Sequence, residues 1–269
     1  MINILQTEFF RLKKNVLFWS LMAVCAILPF VSVLLQLLGI SLINNIGADV
    51  SYDFGEYLKS LNLPIVALSD LPNFSDHALF ALICTSIFLS AEFSGGTFRN
   101  ALLANRSRTQ LYFSYLIVSV TIGATYLGVA FVSTLLFNGA IFGFASMPAA
   151  KVIAACLIAL VMGLFSMAFL QTMMCMFLFS ARKLSVALAC PLVICILAPS
   201  LLYTFVTLFT GIGAISTVNS SWIPLYNINL LDLTHLDGAL IGKILLYLIP
   251  LTALFGFVGW YSFQKADLK

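Results

Sequence analysis

Residues with catalytic side chains occur in this chain, but none stands in a spacing typical of an active site. The chain has no H-E-x-x-H zinc motif and no G-x-S-x-G nucleophile turn. The string from Gly238 to Ile244 comes nearest to a phosphate-binding loop, but it has one spacer too few and lacks the magnesium-binding hydroxyl. We therefore predict that the chain is not an enzyme and has no catalytic residue, cofactor or catalytic metal of its own.

The residues that most often bind metals leave two interpretations open. His235 stands between Asp232 and Asp237, which is compatible with a metal site on the same side of the membrane as His77. The alternative, which we favour, is that Asp237 caps a following helix and His235 is an ordinary interfacial residue.

The six cysteines lie in apolar stretches without a C-x-x-C pair, as expected of small buried side chains. They are Cys25, Cys84, Cys156, Cys175, Cys190 and Cys195.

The amino-acid composition indicates whether the chain folds in water or in a membrane. Of the 269 residues, 62% are apolar and 9% are charged, whereas soluble domains carry roughly 45–50% apolar and about 25% charged residues. A water-facing surface of normal size cannot be built from so few charges, and the mean hydropathy of +1.08 indicates lipid as the solvent. Because the apolar stretches cover most of the chain, we predict one all-α transmembrane domain over residues 1–269.

Six apolar stretches are long enough to cross a bilayer, which takes roughly 20 helical residues. The second has a short charge-free part, so its helix must begin early and carry Asp76 and His77 at the membrane surface. The uncharged sequence between Lys183 and Asp232 exceeds one span, and we predict that residues 215–231 form a short re-entrant or interfacial hairpin. The six predicted spans are residues 16–43, 73–91, 111–138, 152–181, 184–210 and 239–263.

The basic residues set the predicted orientation, because short basic loops stay on the cytoplasmic side. Most of the 13 lysines and arginines fall on one side of the predicted spans, together with both chain ends. We therefore predict that both termini are cytoplasmic. No charged residue maps to the middle of a span, which argues against proton-coupled transport because no carboxylate is available there to carry a proton.

Residues 1–15 precede the first predicted span and have a helical pattern. Apolar side chains recur every three or four residues from Ile2 to Val16, with Lys13 and Lys14 on other faces. This spacing predicts an amphipathic helix that lies in the inner headgroup layer. The alternative is a plain cytoplasmic tail with basic topology signals.

The cytoplasmic segment between the second and third predicted spans, residues 92–110, is the most structured polar stretch. Gly95 and Gly96 permit a sharp break after the second span, and Thr97 can cap a new helix. Phe98 and Leu102 then share one face of about two helical turns, available to a cytoplasmic partner. The alternative is a loop that only obeys the positive-inside rule.

The same segment ends on a second capping signal. Ser107 and Gln110 have the spacing of a capping box, in which a serine side chain accepts a bond from the backbone three residues later. This spacing predicts that the capping box at Ser107 opens the third span.

Residues 92–112 are similar to the segment after the second span in permease subunits of type-2 ABC exporters. The likeness is carried by Glu92, Gly96-Thr97, Leu102-Leu103, Ser107-Arg108 and Leu111-Tyr112. It implies a multi-pass protein of a bacterial cell membrane whose coupling helix sits in a cleft of a separate ATPase subunit. It also implies that ATP and magnesium bind to that ATPase, two copies of which serve a pair of identical or related permeases. One departure is Tyr115, near a position where the family often has a basic residue.

The resemblance also assigns roles within the segment. Phe98 and Leu102 would dock on the ATPase, while Glu92 and Arg99 would hold the segment in place. The full set of ATPase-coupling candidates is Glu92, Gly95, Gly96, Thr97, Phe98, Arg99, Leu102, Leu103, Arg106 and Arg108.

The uncharged interior of the predicted spans favours amphipathic or hydrophobic cargo. The resemblance implies the same, because the chain is similar in size to exporters that remove peptide antibiotics or toxins from the membrane. A stripe on the fourth span would offer such cargo an adaptable apolar surface, although such a stripe more often serves helix packing or lipid contact. Two other functions stay open: an ion-coupled carrier or channel without an ATPase, and a membrane assembly factor that transports nothing. The stripe consists of Met162, Phe165, Phe169, Met173 and Met176.

Overall fold

The computed structural model describes residues 2–45, 63–73, 76–94, 107–143, 148–198, 201, 204, 231, 233 and 237–265. Every regular element in these ranges is helical, which confirms the predicted all-α class. The α-helices are α1 (Ile2–Lys14), α2 (Val16–Asn45), α3 (Leu63–Ser69), α4 (Asp76–Ser94), α5 (Arg108–Phe142), α6 (Ala149–Ala181), α7 (Leu184–Leu192) and α8 (Gly238–Lys265). A π-helical stretch, Val193–Leu197, continues α7.

Five of these helices, α2, α4, α5, α6 and α8, are long and apolar enough to cross a membrane. They correspond to the first, second, third, fourth and sixth predicted spans, and α4 begins at Asp76, as expected of the second. The fifth predicted span is described only as the short apolar helix Leu184–Cys195. Its remainder, like the predicted hairpin at 215–231, falls almost entirely outside the described residues, so a sixth span stays a prediction.

The capping signals read from the sequence are confirmed at two helix starts. Ser107 is the N-cap of α5, and its side chain accepts a hydrogen bond from the backbone of Gln110. Asp237 precedes α8, and its Oδ1 accepts a hydrogen bond from the Ala239 backbone at 2.9 Å. Each cap satisfies a backbone N–H that has no partner within the helix.

One helix, α3, lies where the sequence analysis placed only a connection between spans. It packs against α5 and α6, and its Ile65 and Leu68 side chains are buried. Pro64 stands in its first turn, where a missing N–H costs no helical hydrogen bond. The helix is seven residues long, which is too short for hydrophobic periodicity to separate it from a loop.

The centre of the bundle is α6, which packs against α4, α5, α7 and α8. Close approach of α8 depends on Gly259, where a Cβ atom would lie 2.5 Å from the Tyr112 hydroxyl oxygen and 3.0 Å from Met176 Cα. The Tyr112 hydroxyl in turn donates to the Gly256 carbonyl at 3.0 Å. Small residues at such crossings let helices approach in lipid, where there is no hydrophobic driving force between them.

Candidate functional site

Two of the predicted ATPase-coupling residues lie in the described part of the chain, one on each side of the predicted coupling helix. Glu92 is near the end of α4, and Arg108 is the first residue of α5. The remaining candidates, between Gly95 and Arg106, lie outside the described residues, so the coupling helix itself stays a prediction. What the structure does describe is how both ends of this segment are held.

Glu92 is paired with an arginine of the N-terminal helix. The Arg11 guanidinium forms an ion pair with the Glu92 carboxylate, and its Nη1 lies 3.4 Å from both carboxylate oxygens of Glu8. The Glu92 side chain is 1% exposed and that of Glu8 is 6% exposed, while that of Arg11 is 40% exposed. Two nearly buried carboxylates therefore share one partly exposed cation, and this sharing fastens α1 to the end of α4.

Tyr115 of α5 joins the same group, because its hydroxyl donates to Glu92 Oε2 at 3.5 Å. We call Glu8, Arg11, Glu92 and Tyr115 the ionic cluster. The resembling exporters often have a basic residue near position 115, and in this chain the positive charge beside Glu92 comes from Arg11 on a different helix. The Glu92 carboxylate thus connects α1, α4 and α5.

The surroundings of Glu8 in the ionic cluster change the titration of its carboxyl group. Burial raises the pKa of Glu8 from an ordinary value of 4.5 to about 7, and the nearby negative charge of Glu92 adds to the rise. The Arg11 guanidinium opposes it, but one cation does not compensate two buried carboxylates. Glu8 therefore gains or loses a proton near neutral pH.

An aromatic layer lies directly beneath the ionic cluster. The Phe179 ring of α6 has its centroid 5.2 Å from that of Tyr112, 6.4 Å from that of Tyr115 and 5.0 Å from that of Phe263. It also makes an edge contact with Phe93, at 5.6 Å between ring centroids. These rings join the ends of α4, α5, α6 and α8 into one packed layer, which gives the buried carboxylates a rigid support.

The other end of the coupling segment is held to α8. Arg108 Nη1 donates to the backbone carbonyl of Gln264 at 2.6 Å. Next to it, the Thr109 hydroxyl accepts from Gln264 Nε2 at 2.7 Å and from Trp260 Nε1 at 3.3 Å. A cation at the carboxyl end of a helix is favoured by the helix dipole, so this contact is electrostatic as well as directional.

Both ends of the segment 95–106 are thus fixed to the bundle, and each is fixed to a different set of helices. Glu92 connects to α1 and α5, whereas Arg108 and Thr109 connect to α8. The ionic groups at these two ends are therefore bonded to other groups of the protein.

The predicted substrate stripe on α6 is mostly covered by the chain itself. Met162, Phe169, Met173 and Met176 are buried, and the Phe169 ring lies 5.7 Å from the ring of Phe255 on α8. Only Phe165, which is 39% exposed, is open at the surface. Packing between helices accounts for the four buried members, and contact with a substrate stays a prediction.

The structure places His77 in the protein interior, although the sequence analysis put it at the membrane surface. Its Nε2 lies 2.9 Å from the Leu71 carbonyl oxygen, so the ring closes the turn before α4. His235 lies outside the described residues. Within the described ranges no three His, Cys, Asp or Glu side chains are grouped to hold a metal ion, and all six cysteines are free.

Sequence reasoning named Glu92 but missed the residues that bind it. Glu8 and Arg11 are spaced by three residues, a signal for neighbours on one helical face, yet nothing local connects that face with the end of α4. The contacts from Arg108 and Thr109 to Gln264 and Trp260 join residues that are far apart in the chain, and only the packing of α5 on α8 brings them together.

Comparison with known proteins supplies the final observation. Residues 4–198, which are more than half of the chain, match a family model described as "ABC-2 family transporter protein". The match includes α1 from its third residue on, both ends of the segment 95–106 and the whole of α6. No curated protein and no solved structure matches the chain.

Proposed function

The chain belongs to the ABC-2 transporter family, and from this premise we propose that it is the permease subunit of an exporter driven by a separate ABC ATPase. As a family member with five helices able to span a membrane, it is a multi-pass membrane component of an ABC transporter. The finer assignment is that a pair of such permeases, identical or related, stands on a pair of ATPases in a bacterial cell membrane. Both chain ends then lie on the cytoplasmic side, with the ATPases.

The observation that carries this proposal is the double anchoring of the segment 95–106. Closure of the ATPases on ATP would push this segment, and the push would enter the bundle at Glu92 and at Arg108. Because Glu92 is fixed to α1 and α5 and Arg108 is fixed to α8, these helices would move as one body. Their movement changes which side of the membrane has access to the space between the two permeases.

The proposed cargo is an amphipathic or hydrophobic compound such as a peptide, an antibiotic or a toxin. The described spans carry long exposed apolar surfaces and no charged side chain midway along their length, which suits cargo that partitions into the membrane. Phe165 on α6 is the member of the predicted stripe that such cargo would meet first.

The proposal is tested by placing a charge on the docking face of the coupling segment. Phe98→Asp should abolish co-purification of the ATPase and ATP-dependent transport, because a carboxylate would have to be buried in an apolar cleft. Asn100→Asp is the matched control, since it adds the same charge to the same segment on the opposite face of the predicted helix from Phe98 and Leu102.

The control should retain most of the ATPase and most of the transport. Retention of both by Phe98→Asp would contradict the proposal. Transport by the purified chain alone in liposomes would favour an ion-coupled carrier instead. An intact membrane complex without any transport would favour an assembly factor.

A further inference from the structure

A groove of about 320 Å³ lies between α5, α6 and α8 on the outer surface of the bundle. Phe113 of α5, Thr172 of α6 and residues of α8 from Thr252 to Trp260 line it. Phe113 and Phe257 are exposed, and all three helices are able to span a membrane. The groove therefore opens toward whatever surrounds the bundle in the membrane. We call it the α8 groove.

The polar side chains in the walls of the α8 groove are bonded within the protein. Each threonine hydroxyl donates to a carbonyl one turn earlier on its own helix, at 2.6 Å for Thr172 and 2.7 Å for Thr252. Trp260 Nε1 donates to the Thr109 hydroxyl oxygen at 3.3 Å. The walls thus present methyl groups and aromatic rings, which suit an alkyl chain better than a ligand that needs hydrogen bonds.

The length and position of the α8 groove match one leaflet of a bilayer. Thr252 and Trp260 are eight residues apart, so the α8 wall is about 12 Å long, against about 15 Å for half of the hydrocarbon core. This wall lies in the second half of α8, which ends beside Arg108 at the α1 end. Trp260 is the groove residue nearest to that end, as expected of a ring at the boundary between hydrocarbon and headgroups.

A positive charge lies just beyond the Trp260 end of the groove. The Phe257 ring in the groove wall stacks on that of Tyr261, with 16° between the ring planes, and Lys265 Nζ lies 4.5 Å from the centroid of the Tyr261 ring. These three residues follow one another at spacings of four along one face of α8. Lys265 is exposed, and within the described part of the chain no carboxylate is paired with it. It stands about 7.5 Å beyond Trp260 along the helix, at the depth of the headgroups.

The order of these features favours a phospholipid over a second copy of the chain. From the membrane interior to its surface, the apolar groove, the aromatic boundary and the cation follow the order of acyl chain, glycerol backbone and phosphate. A second copy would have to bring an acidic residue to Lys265 at the same depth. Of the described residues at the α1 end, the carboxylates of Glu8 and Glu92 are nearly buried and bonded to Arg11, so they are unsuited to that role.

We propose that the α8 groove binds an acyl chain of an anionic phospholipid from the leaflet at the α1 end, with the lipid phosphate against the Lys265 ammonium group. Basic residues at the membrane surface attract lipids with a net negative charge. Phosphatidylcholine has the same phosphate, but its choline cation cancels the charge. This site goes beyond the proposed function, because lipid binding needs neither the ATPase nor the cargo.

The test is quenching of Trp260 fluorescence by lipids with brominated acyl chains, which quench a tryptophan on contact. Trp19→Phe combined with Trp222→Phe leaves Trp260 as the single tryptophan of the full chain. This chain is placed in phosphatidylcholine nanodiscs with increasing fractions of brominated phosphatidylglycerol or brominated phosphatidylcholine. Half-maximal quenching should need about fivefold less of the phosphatidylglycerol, the preference expected from one lysine at the membrane surface.

A pair of lysine variants tests the headgroup contact. Lys265→Gln should make the two brominated lipids about equally effective, because the charge that selects the headgroup is gone. Lys14→Gln is the matched control: Lys14 is also exposed with its Nζ 4.4 Å from an aromatic centroid, that of Phe10, but it lies on α1, outside the groove walls. It should keep the fivefold preference.

A pair of phenylalanine variants tests the acyl-chain contact. Ala253→Phe places a ring in the groove and should reduce the quenching of Trp260 by both lipids. Val258→Phe adds a ring to an exposed position of the same helix outside the groove walls and should leave the quenching unchanged.

Equal quenching by the two lipids in the chain with Trp260 alone, or a preference that persists in Lys265→Gln, would overturn the proposal. Quenching by neither lipid would show that protein, such as a second copy of the chain, covers the groove, and would overturn it as well. The comparison of the two lipids is made on one chain, so it stands even if a groove variant does not fold. A failure of this proposal would leave the ATPase assignment untouched, since no ATPase takes part in the measurement.

Discussion

The two ends of the helical bundle treat their charged residues in opposite ways. At the α1 end, the carboxylates of Glu8 and Glu92 are nearly buried and bonded to Arg11. At the far end, the carboxylates of Asp70 and Asp76 are exposed, and Asp70 accepts a hydrogen bond from the nearby Asn73 side chain. The difference teaches that similar residues serve two purposes: the buried charges of the α1 end join separate helices, whereas the exposed aspartates of the far end lie in a turn and at a helix start.

The packing beneath each end agrees with that division. Aromatic rings and a close helix crossing at Gly259 fill the α1 end. Because this region is closely packed, its helices have little room to move relative to one another. The far end keeps a cavity, and Gly242 near the start of α8 has no atom within 4 Å of where a Cβ would stand. The same helices are therefore closely packed at the α1 end and loosely packed at the far end.

The largest expected effect comes from breaking the ion pair at the α1 end. Arg11→Met leaves the buried Glu92 carboxylate without its cation and should lower the free energy of unfolding by about 3 kcal/mol. This is the lower end of the range expected for breaking a buried ion pair, because Arg11 is partly exposed. The measurement is reversible denaturant unfolding in mixed micelles. Adding Glu92→Gln should recover much of the loss, since the buried charge is then gone.

Lys13→Met is the control for that prediction, because Lys13 is an exposed cation on the same helix. It should change the unfolding free energy by less than about 0.5 kcal/mol. An equal loss in Lys13→Met and Arg11→Met would mean that the ion pair does not hold α1 to α4.

A smaller effect is expected from filling the helix crossing beneath the ionic cluster. In Gly259→Ala the new methyl group meets the Tyr112 hydroxyl and the Met176 backbone, which should cost about 2 kcal/mol of unfolding free energy. Gly242→Ala makes the same change in open space on the same helix and should be neutral or slightly stabilising. Thermal unfolding of the two variants in one detergent compares them directly, and equal losses would refute the close crossing.

The smallest effect is a dependence of α1 docking on pH. Burial and the charge of Glu92 raise the pKa of docked Glu8 to about 7, above the ordinary 4.5, so the docked form holds a proton that the released form has lost. Docking should therefore weaken as the pH rises from about 4.5 to about 7 and level off above that. Spin-label distances between positions 6 and 183, both exposed at the α1 end, should broaden over this range.

Glu8→Gln should remove this pH dependence, because the glutamine cannot titrate. A distance distribution that narrows with rising pH in the unaltered chain would show that the sign is wrong. If the distances still depend on pH in Glu8→Gln, a group other than Glu8 binds the proton.

Much of this architecture could be predicted because it depends on local signals. Spans appear as long uncharged stretches, and the starts of α5 and α8 are marked by Ser107 and Asp237, whose caps act within three residues. The helix α3 was missed because seven residues give too little periodicity. The pairing of Arg11 with Glu92 and the α8 groove depend on how distant helices pack, and no local pattern contains that information.

The central claim, that the α1 end is the end on which an ATPase acts, is tested most directly by site-specific photocrosslinking. A photoreactive phenylalanine analogue at position 102 in the coupling segment is compared with one at position 238, the exposed first residue of α8 at the far end. A covalent product with an ABC ATPase from position 102, and none from position 238, is the predicted result. An ATPase product from position 238, or its absence from position 102 in an intact complex, would contradict the claim.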